Sequence, residues 1–541
     1  MSSSLQFIRQ ALAIRWRPTV LALAGAAALA GCAVGPDFKR PEAPAAASYG
    51  VNEGLTPGAG VMGAGSGEPQ QFKSADDLPF DWWKSFGSPD LDAVVERALR
   101  ASPTVTAAQA NLRQAQEMVY AQQGYFFPTV GLNYNFERQK LAGNQGGNSP
   151  GIQGDGSTIQ TYQNPGGPTP FNGPVLYNFH TAQLTVGYTP DVFGANRRQV
   201  ESLDAQAKMA QFQLEATYIT LVSNVVAACI QEASVRAQMD AIHLLIDDNQ
   251  KALDILNMQF KNGFVMRMDV AAQESLLAQA KVLLPPLQKQ LEQTRDLIRA
   301  LVGNMPGEEI SQTFSLDRLH MPAELPLSLP SKIVDQRPDV RAALEQLRSA
   351  NAQVGVAMAA RLPQFSITGA IGGTASHFNE MFKTGGPFWN IIAGVSQTVF
   401  DGNTLKHRQR AAEQGLLQAA EQYRGTVIAA YQNVADTLHA IRGDADAYDA
   451  ALDAEHAAKV TLDLTRLQEQ VGFANHQAFL SAEIAYQQAL LALVQARAQR
   501  FGDTAALFQA LGGGWWNRPV VVATADDENA KEAPKPLPLR P

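Results

Sequence analysis

The chain has 541 residues, of which 45% are hydrophobic and only 17% charged, against about 25% charged in an average soluble protein. Its net charge is −8 and it has no long basic run, which argues against nucleic-acid binding. Two cysteines, Cys32 and Cys229, cannot make a disulfide framework or a cysteine-rich metal site.

The first 31 residues carry Arg9, Arg15 and Arg17 and no acid, and residues 19–29 form an apolar run of 11. That length suits a signal peptide and falls short of the roughly 20 residues that span a bilayer. Leu29-Ala30-Gly31-Cys32 follows. Small residues before a cysteine look like a bacterial lipobox, in which Cys32 becomes the lipidated first residue of the mature chain. The other reading is a plain secretory signal with a chance cysteine. Residues 1–31 are therefore expected to be a lipoprotein signal peptide. Ala33 stands where an Asp would suggest retention at the inner membrane. No other stretch is expected to be a transmembrane helix; the best internal one, Tyr218 to Ile230, is interrupted by Ser223 and Asn224.

Residues 32–90 are expected to hold a tether rich in Pro, Gly, Ala and Ser and an equatorial segment. Gly58-Ala59-Gly60-Val61-Met62-Gly63 matches G-x-G-x-x-G. It lacks the strand and helix context of a dinucleotide site.

The body is duplicated. Pro103-Thr104-Val105-Thr106-Ala107-Ala108 matches Pro338-Asp339-Val340-Arg341-Ala342-Ala343, an offset of 235 that also aligns Leu112-Arg113 with Leu347-Arg348 and Pro128 with Pro363. Gly263-Phe264 matches Gly472-Phe473, an offset of 209 that brings Leu301-Val302-Gly303 onto Ala510-Leu511-Gly512. The repeats are placed at 91–303 and 331–516, with a linker at 304–330 and a disordered tail at 517–541.

Each copy opens on a helix, expected at about 91–124 and 332–361. Two period-two strands follow. In the first copy Val130, Leu132, Tyr134 and Phe136 share a face, as do Ala182, Leu184, Val186 and Tyr188. In the second, Phe365, Ile367 and Ile371 share one face, and Trp389, Ile391, Ala393 and Val395 another. Segments of roughly ten alternating residues with aromatics near their ends fit a transmembrane β-barrel, although a half-buried soluble sheet alternates in the same way. The first strand pair is joined by a long loop, about 139–176, expected outside the cell. Its counterpart, about 374–387, is shorter.

Long helices are expected at about 195–262 and 403–471. At about 1.5 Å per residue each spans roughly 100 Å. The second carries the stripe Val427, Tyr431, Val434, Leu438, Ile441, Ala445, Tyr448, Leu452, spaced as in a coiled coil. A Gly turn and a shorter helix end each copy. Pro285-Pro286 is expected to kink the first of these shorter helices. Cys229 lies on an apolar stretch and is expected to be core. Four strands leave two open edges, and unpaired backbone groups in lipid cost several kcal/mol each. Strands that enter a membrane therefore require oligomerisation: two copies would give 8 strands with a filled interior and three would give 12 with a lumen. The faces opposite the apolar ones, expected to be Thr, Ser, Gln, Asn and Gly, suit a watery lumen.

The layout resembles that of the TolC-like outer-membrane efflux proteins, in the lipoprotein branch represented by OprM and NodT. The residues that carry the resemblance are Cys32-Ala33-Val34-Gly35-Pro36-Asp37-Phe38, Trp82-Trp83 with Phe86, Gln336-Arg337-Pro338-Asp339-Val340, Val399-Phe400-Asp401-Gly402 and Ala510-Leu511-Gly512-Gly513-Gly514-Trp515. They span roughly residues 20–516.

The resemblance implies a mainly α fold with a small β part. It would be a homotrimer with a 12-stranded outer-membrane barrel, four strands per chain, continued by a periplasmic α-helical coiled-coil tunnel. It implies a lipid-anchored passive exit duct for small molecules such as drugs, with a periplasmic adaptor (membrane fusion) protein and an inner-membrane pump of RND type as partners. The Gly263 and Gly472 turns would form the periplasmic tip. Adaptor contacts are expected at Gly263, Phe264, Val471, Gly472 and Phe473. Gate candidates are Phe264, Asp269, Phe473, Asn475 and Gln477, because Ala474, Ala478 and Ser481 stand where such gates often carry acids. Plain helix-hairpin packing is the other role open to Phe264 and Phe473.

An enzyme is not expected. The eight histidines form no H-E-x-x-H or other close ligand cluster, there is no G-x-S-x-G or P-loop, and Asp247-Asp248 and Asp526-Asp527 suit solvated surface. No metal site is expected, and no cofactor beyond the covalent lipid on Cys32. The alternatives are a similar duct for type I protein secretion, and a lipid-anchored coiled-coil spacer or adhesin without a pore.

Overall fold

The structure is a computed structural model that describes residues 33–42, 60–61, 70–74, 77–141, 175–327 and 330–518. The signal peptide, Cys32, most of the 139–176 loop and the tail from 519 lie outside the described residues. The chain folds as two compact units. One takes residues up to Arg40 together with Leu112–Met209 and Leu344–Gln422. The other takes Pro41–Asn111, Ala210–Ala343 and everything from Tyr423 onward.

The duplication is visible element by element. The first copy comprises α1 (Pro89–Ala101), α2 (Pro103–Gln123), β3 (Thr129–Leu141), β4 (Val175–Tyr188), α3 (Ala195–Lys261) and α4 (Arg267–Leu301). The second repeats this as α5 (Pro330–Gln336), α6 (Pro338–Ala359), β6 (Gln364–Ala375), β7 (Pro387–Ser396), α7 (Thr404–Gln470) and α8 (His476–Ala510). Both long helices have 67 residues and both shorter ones 35. Outside the repeats lie β1 (Gly60–Val61), β2 (Gln70–Ser74) and β5 (Glu324–Leu327).

Three expectations need correcting. The opening helix of each copy is broken into two, before Pro103 and before Pro338. The residue preceding a proline is pushed out of the helical region, and Ser102 is extended at ψ 123°. Residues 33–42, expected in a tether, are instead partly pinned in the first unit. Arg198, 6% exposed, donates to the carbonyls of Val34 and Gly35 and to Asp37 at 2.8 Å, while Asn351 donates to Pro36 O at 2.8 Å. Lastly, α3 does contain a window apolar and long enough to cross a membrane by composition, but 72% of it is buried in the protein. Leu221, Val222, Val225, Val226, Cys229 and Ile230 all lie in the interior, so this stretch is core, and burial raises the Cys229 thiol well above its ordinary pKa. At Pro285-Pro286, α4 continues as helix.

The larger sheet, in the first unit, is antiparallel in the order β3-β4-β6-β7. Its register lines the apolar residues into rows. Leu132 pairs Leu184, Leu184 pairs Ile371, and Ile371 pairs Trp389. These four are 81%, 39%, 61% and 74% exposed. A soluble sheet buries such a face; this one presents it outward. The opposite face is polar and cross-linked, with Asn133 donating to Thr185 and Thr181 bonding Thr374. Ile392 and Phe388 depart from the polar pattern expected there.

In the second unit β2 pairs antiparallel with β1 and parallel with β5. Trp82, Trp83 and Phe86 are buried, with Trp82 and Phe86 against Phe508 of α8. The linker is partly built into this core through Phe314, Leu316 and Leu325. Two motifs far apart in sequence meet here. Arg337 Nη1 donates to Ala510 O at 2.9 Å, and Trp515 Nε1 donates to Gln336 O at 2.6 Å. Gly514 holds φ +68°, and a Cβ there would stand 2.4 Å from Pro79 O. On α7, Val427, Val434, Leu438, Ile441, Ala445 and Tyr448 of the stripe are buried, and Tyr431 and Leu452 are half-buried.

Asp444 on α7 and Asp503 on α8 form a carboxyl pair. Burial, then the hydrogen bond and charge of Asp503, push the Asp444 pKa up to about 7, against the lowering effect of Arg500. The folded chain thus holds a proton that the unfolded chain, with Asp near 3.8, releases. Stability from this pair is present in acid and is lost as pH rises toward about 7. Melting temperatures measured across that range are expected to decline in the parent and to flatten in Asp444→Asn.

Candidate functional site at the two helical turns

Each long helix ends in the same turn. Gly263 N–H donates to Phe260 O at 3.0 Å and Phe264 N–H to Gln259 O at 2.9 Å. In the second copy Gly472 N–H donates to Glu469 O at 3.0 Å and Phe473 N–H to Gln468 O at 2.8 Å. These are Schellman pairs, which satisfy the last carbonyls of a helix and need a left-handed residue. Gly263 at φ +79° and Gly472 at φ +82° supply it.

The turn that follows projects apolar side chains. Phe264 is 79% and Phe473 87% exposed. Val471 joins them, and Met266 and Met268 were missed in the sequence because methionines beside a turn carry no pattern. Asn475 and Gln477 are exposed as well.

The next helices start on different caps. Asn475 accepts from Ala478 N–H through its side chain at 2.9 Å. In the first copy Asp269 reaches back to accept from Met266 N–H at 3.0 Å. The carboxylate expected as a possible gate charge is thus engaged in starting α4. It also lines a cleft of about 540 Å³ with Phe264, Lys251, Arg466, Glu469 and His476. Glu469 and His476 Nδ1 are 2.6 Å apart, bridging the second turn.

Behind the turns the hairpins share a core. Leu253, Leu256, Val270 and Leu277 pack between α3 and α4, and Leu276 joins Leu462, Phe479 and Leu480 of the other hairpin. A buried polar cluster interrupts it. Gln273 donates to Asn249 Oδ1 at 2.8 Å, Asn249 approaches Glu483 at 3.5 Å, and Arg466 stands 3.8 Å from Glu483. Burial raises the Glu483 pKa, Arg466 opposes this, and Asp248 adds to it. A lone acid in Ala482-Glu483-Ile484 was the sequence signal for this cluster.

The family model for outer membrane efflux proteins matches residues 94–304 and 329–513. The chain belongs to the outer membrane efflux protein family. It is 26% identical over 439 residues to the pyoverdine export outer membrane protein OpmQ of Pseudomonas aeruginosa, covering 80% of this chain and 87% of that one. It is 25% identical over 516 residues to the probable efflux pump outer membrane protein TtgC of Pseudomonas putida, covering 94% and 97%. The fold matches that of the outer-membrane channel OprN at a TM-score of 0.76 and 23% identity, over 90% of this chain and all of that one. This efflux protein is an outer-membrane channel and not an enzyme. The two matched segments of the family model fall on the two repeats.

Removing a cap costs a helix about 1 kcal/mol, and local opening then rises roughly fivefold. Asn475→Ala is expected to speed amide exchange in the first turn of α8 by about that factor, and Asp269→Ala to do the same in α4. Asn475→Asp should keep the parent rate.

Proposed function

We propose that three copies of this efflux protein close a 12-stranded barrel in the outer membrane and extend their helical hairpins into the periplasm as a passive duct. The sheet carries this reading. Its outward face is apolar, and its outer strands β3 and β7 each leave one edge unpaired among the described residues. An exposed apolar face is costly in water and suits lipid, and an open edge is costly in lipid unless further strands complete the sheet. The cargo is small organic molecules, a reading supported by the export of pyoverdine in the name of one relative. An inner-membrane pump of RND type loads the duct through a periplasmic adaptor. Cys32 carries the lipid that anchors the chain, and the loop within 139–176 faces outward.

The exposed turns support a tip that both closes the duct and meets the adaptor. Gly263, Phe264, Val471, Gly472 and Phe473 form the adaptor surface. Phe264, Phe473, Asn475 and Gln477 line the constriction. Asp269 contributes its charge only from a capping position. The barrier is steric and polar, since Ala474, Ala478 and Ser481 bring no carboxylate.

Native mass spectrometry in detergent is expected to find three chains; a stable folded monomer would refute the barrel. In planar bilayers, Phe473→Ala with Gln477→Ala is expected to raise single-channel conductance and, in cells, antibiotic leakage. Asp269→Asn keeps an acceptor at the cap and should change ion selectivity only modestly. An unchanged conductance in the double variant, with opening by Asp269→Asn alone, would make the gate electrostatic.

A further inference from the structure

A cleft of about 360 Å³ lies where the strands meet the helices of the first unit, walled by Tyr125, Val192, Phe193, Val356, Pro363 and Phe365. That volume is within the range of ligand pockets, and the walls named here are apolar or aromatic. Gln122, Thr189, Asp191, Asn196, Gln199 and Gln364 line it too, and Asp191 is already engaged, accepting from the backbone N–H of Asn196 and Arg197 at 2.9 and 2.8 Å. Nothing in that carboxylate calls for a charged ligand.

Two observations say what fills it. The cleft is continuous with the apolar face of the sheet. Phe365 pairs Val395 at the end of that face, and the Phe193 and Phe365 rings stand 6.3 Å apart. The start of the described chain also lies against the cleft wall. Val34 N–H donates to Phe193 O at 3.1 Å, and Ala33 packs on Gly194 so closely that a Cβ there would stand 2.6 Å from the Ala33 Cβ. Cys32 is one residue away, and successive Cα atoms are about 3.8 Å apart. Arg198 and Asn351 hold residues 34–37 in this position.

We propose that this cleft seats an acyl chain of the lipid on Cys32, which locks the amino-terminal segment against the base of the sheet. The proposal rests on the lipoprotein reading above. The ligand class is a saturated fatty acyl group covalently supplied by the same chain, and no bond is made or broken in seating it.

The test uses the full chain in its own outer membrane. Cells are fed a fatty acid carrying a terminal diazirine, irradiated, and the protein is digested and mapped by mass spectrometry. The amino-terminal peptide reports lipidation separately from the crosslinks. With a lipidated Cys32, crosslinks are expected on peptides holding Tyr125, Phe193 or Phe365. They should vanish in Cys32→Ser. In Val356→Trp, which fills the cleft, they should leave these peptides while the amino-terminal peptide stays lipidated. An amino-terminal peptide without lipid would sink the lipoprotein reading itself. A lipidated peptide with crosslinks only elsewhere, or cleft crosslinks that persist in Cys32→Ser because membrane phospholipid occupies the site, would overturn the seating proposal.

Discussion

A backbone N–H or C=O left without a partner in hydrocarbon costs several kcal/mol, and this constraint shapes the chain more than any single contact. Four strands hydrogen-bond in the order β3-β4-β6-β7, so the two ends of the sheet present different edges. A pair facing across one edge joins like edges and leaves the other edge of each copy open, and two copies closed into a ring give only about eight strands, with an interior that side chains fill. A head-to-tail ring joins β3 of one copy to β7 of the next and closes. The strand directions allow it: β3 and β7 run opposite ways across an antiparallel sheet of four, so each new junction is again antiparallel. The edges also lack the usual guards against pairing. From Val130 to Phe136, β3 carries neither proline nor charge, and charges appear only at Glu137, Arg138 and Lys140. Proline in β7 stands only at its first residue, Pro387.

The helices answer a different demand. Each 67-residue helix must reverse without leaving its last carbonyls bare, and both copies use the same glycine turn. They diverge three residues after the glycine, in how the return helix starts. Asn475 caps α8 from the N-cap position, and Asp269 caps α4 from within its first turn. A position-by-position comparison of the repeats sees a charge in one copy and Ala478 in the other. The structure shows one capping task performed from two positions, which is why Asp269 looked more like a pore charge in the sequence than it does in the fold.

What the sequence made legible was whatever has a period or a local rule. The strand faces follow from alternation, and the rows Leu132-Leu184-Ile371-Trp389 fall where that alternation puts them. The long helices begin and end within a residue of their expected bounds because Gly194, Gly263, Gly402 and Gly472 punctuate them. The burial of Val434, Leu438 and Ile441 follows from their spacing. Contacts between distant segments were not legible. Nothing around Arg198 says that it will hold residues 34–37, and nothing in Gln336-Arg337 names Ala510 and Trp515 as partners. Ser102-Pro103 was a local signal that could have been used. Ile392 and Phe388 are likewise readable from the alternation, which puts both on the face opposite Trp389 and Ile391.

The second unit packs differently around Gln336 than it does near the turns. Around Gln336, Arg337 and the Gly512–Gly514 run, backbone packs on backbone and indole and guanidinium donors are satisfied by carbonyls. Such close packing has little room to yield. Near the turns the core is instead divided by Asn249, Gln273, Glu483 and Arg466. Glu483 Oε2 and Gln273 Oε1 are buried there without a hydrogen-bond partner, as Gln336 Oε1 and Trp83 Nε1 are in the other core. A well-packed apolar cluster of the same volume would commonly be as stable or more so, so these groups weaken the joint between the hairpins rather than strengthen it. The large exposed side chains, Phe264 and Phe473, lie beyond that weakened joint. Regions that must move are drawn from the least stable parts of a fold. By that criterion the turns can shift while the junction of Gln336 with Trp515 stays fixed.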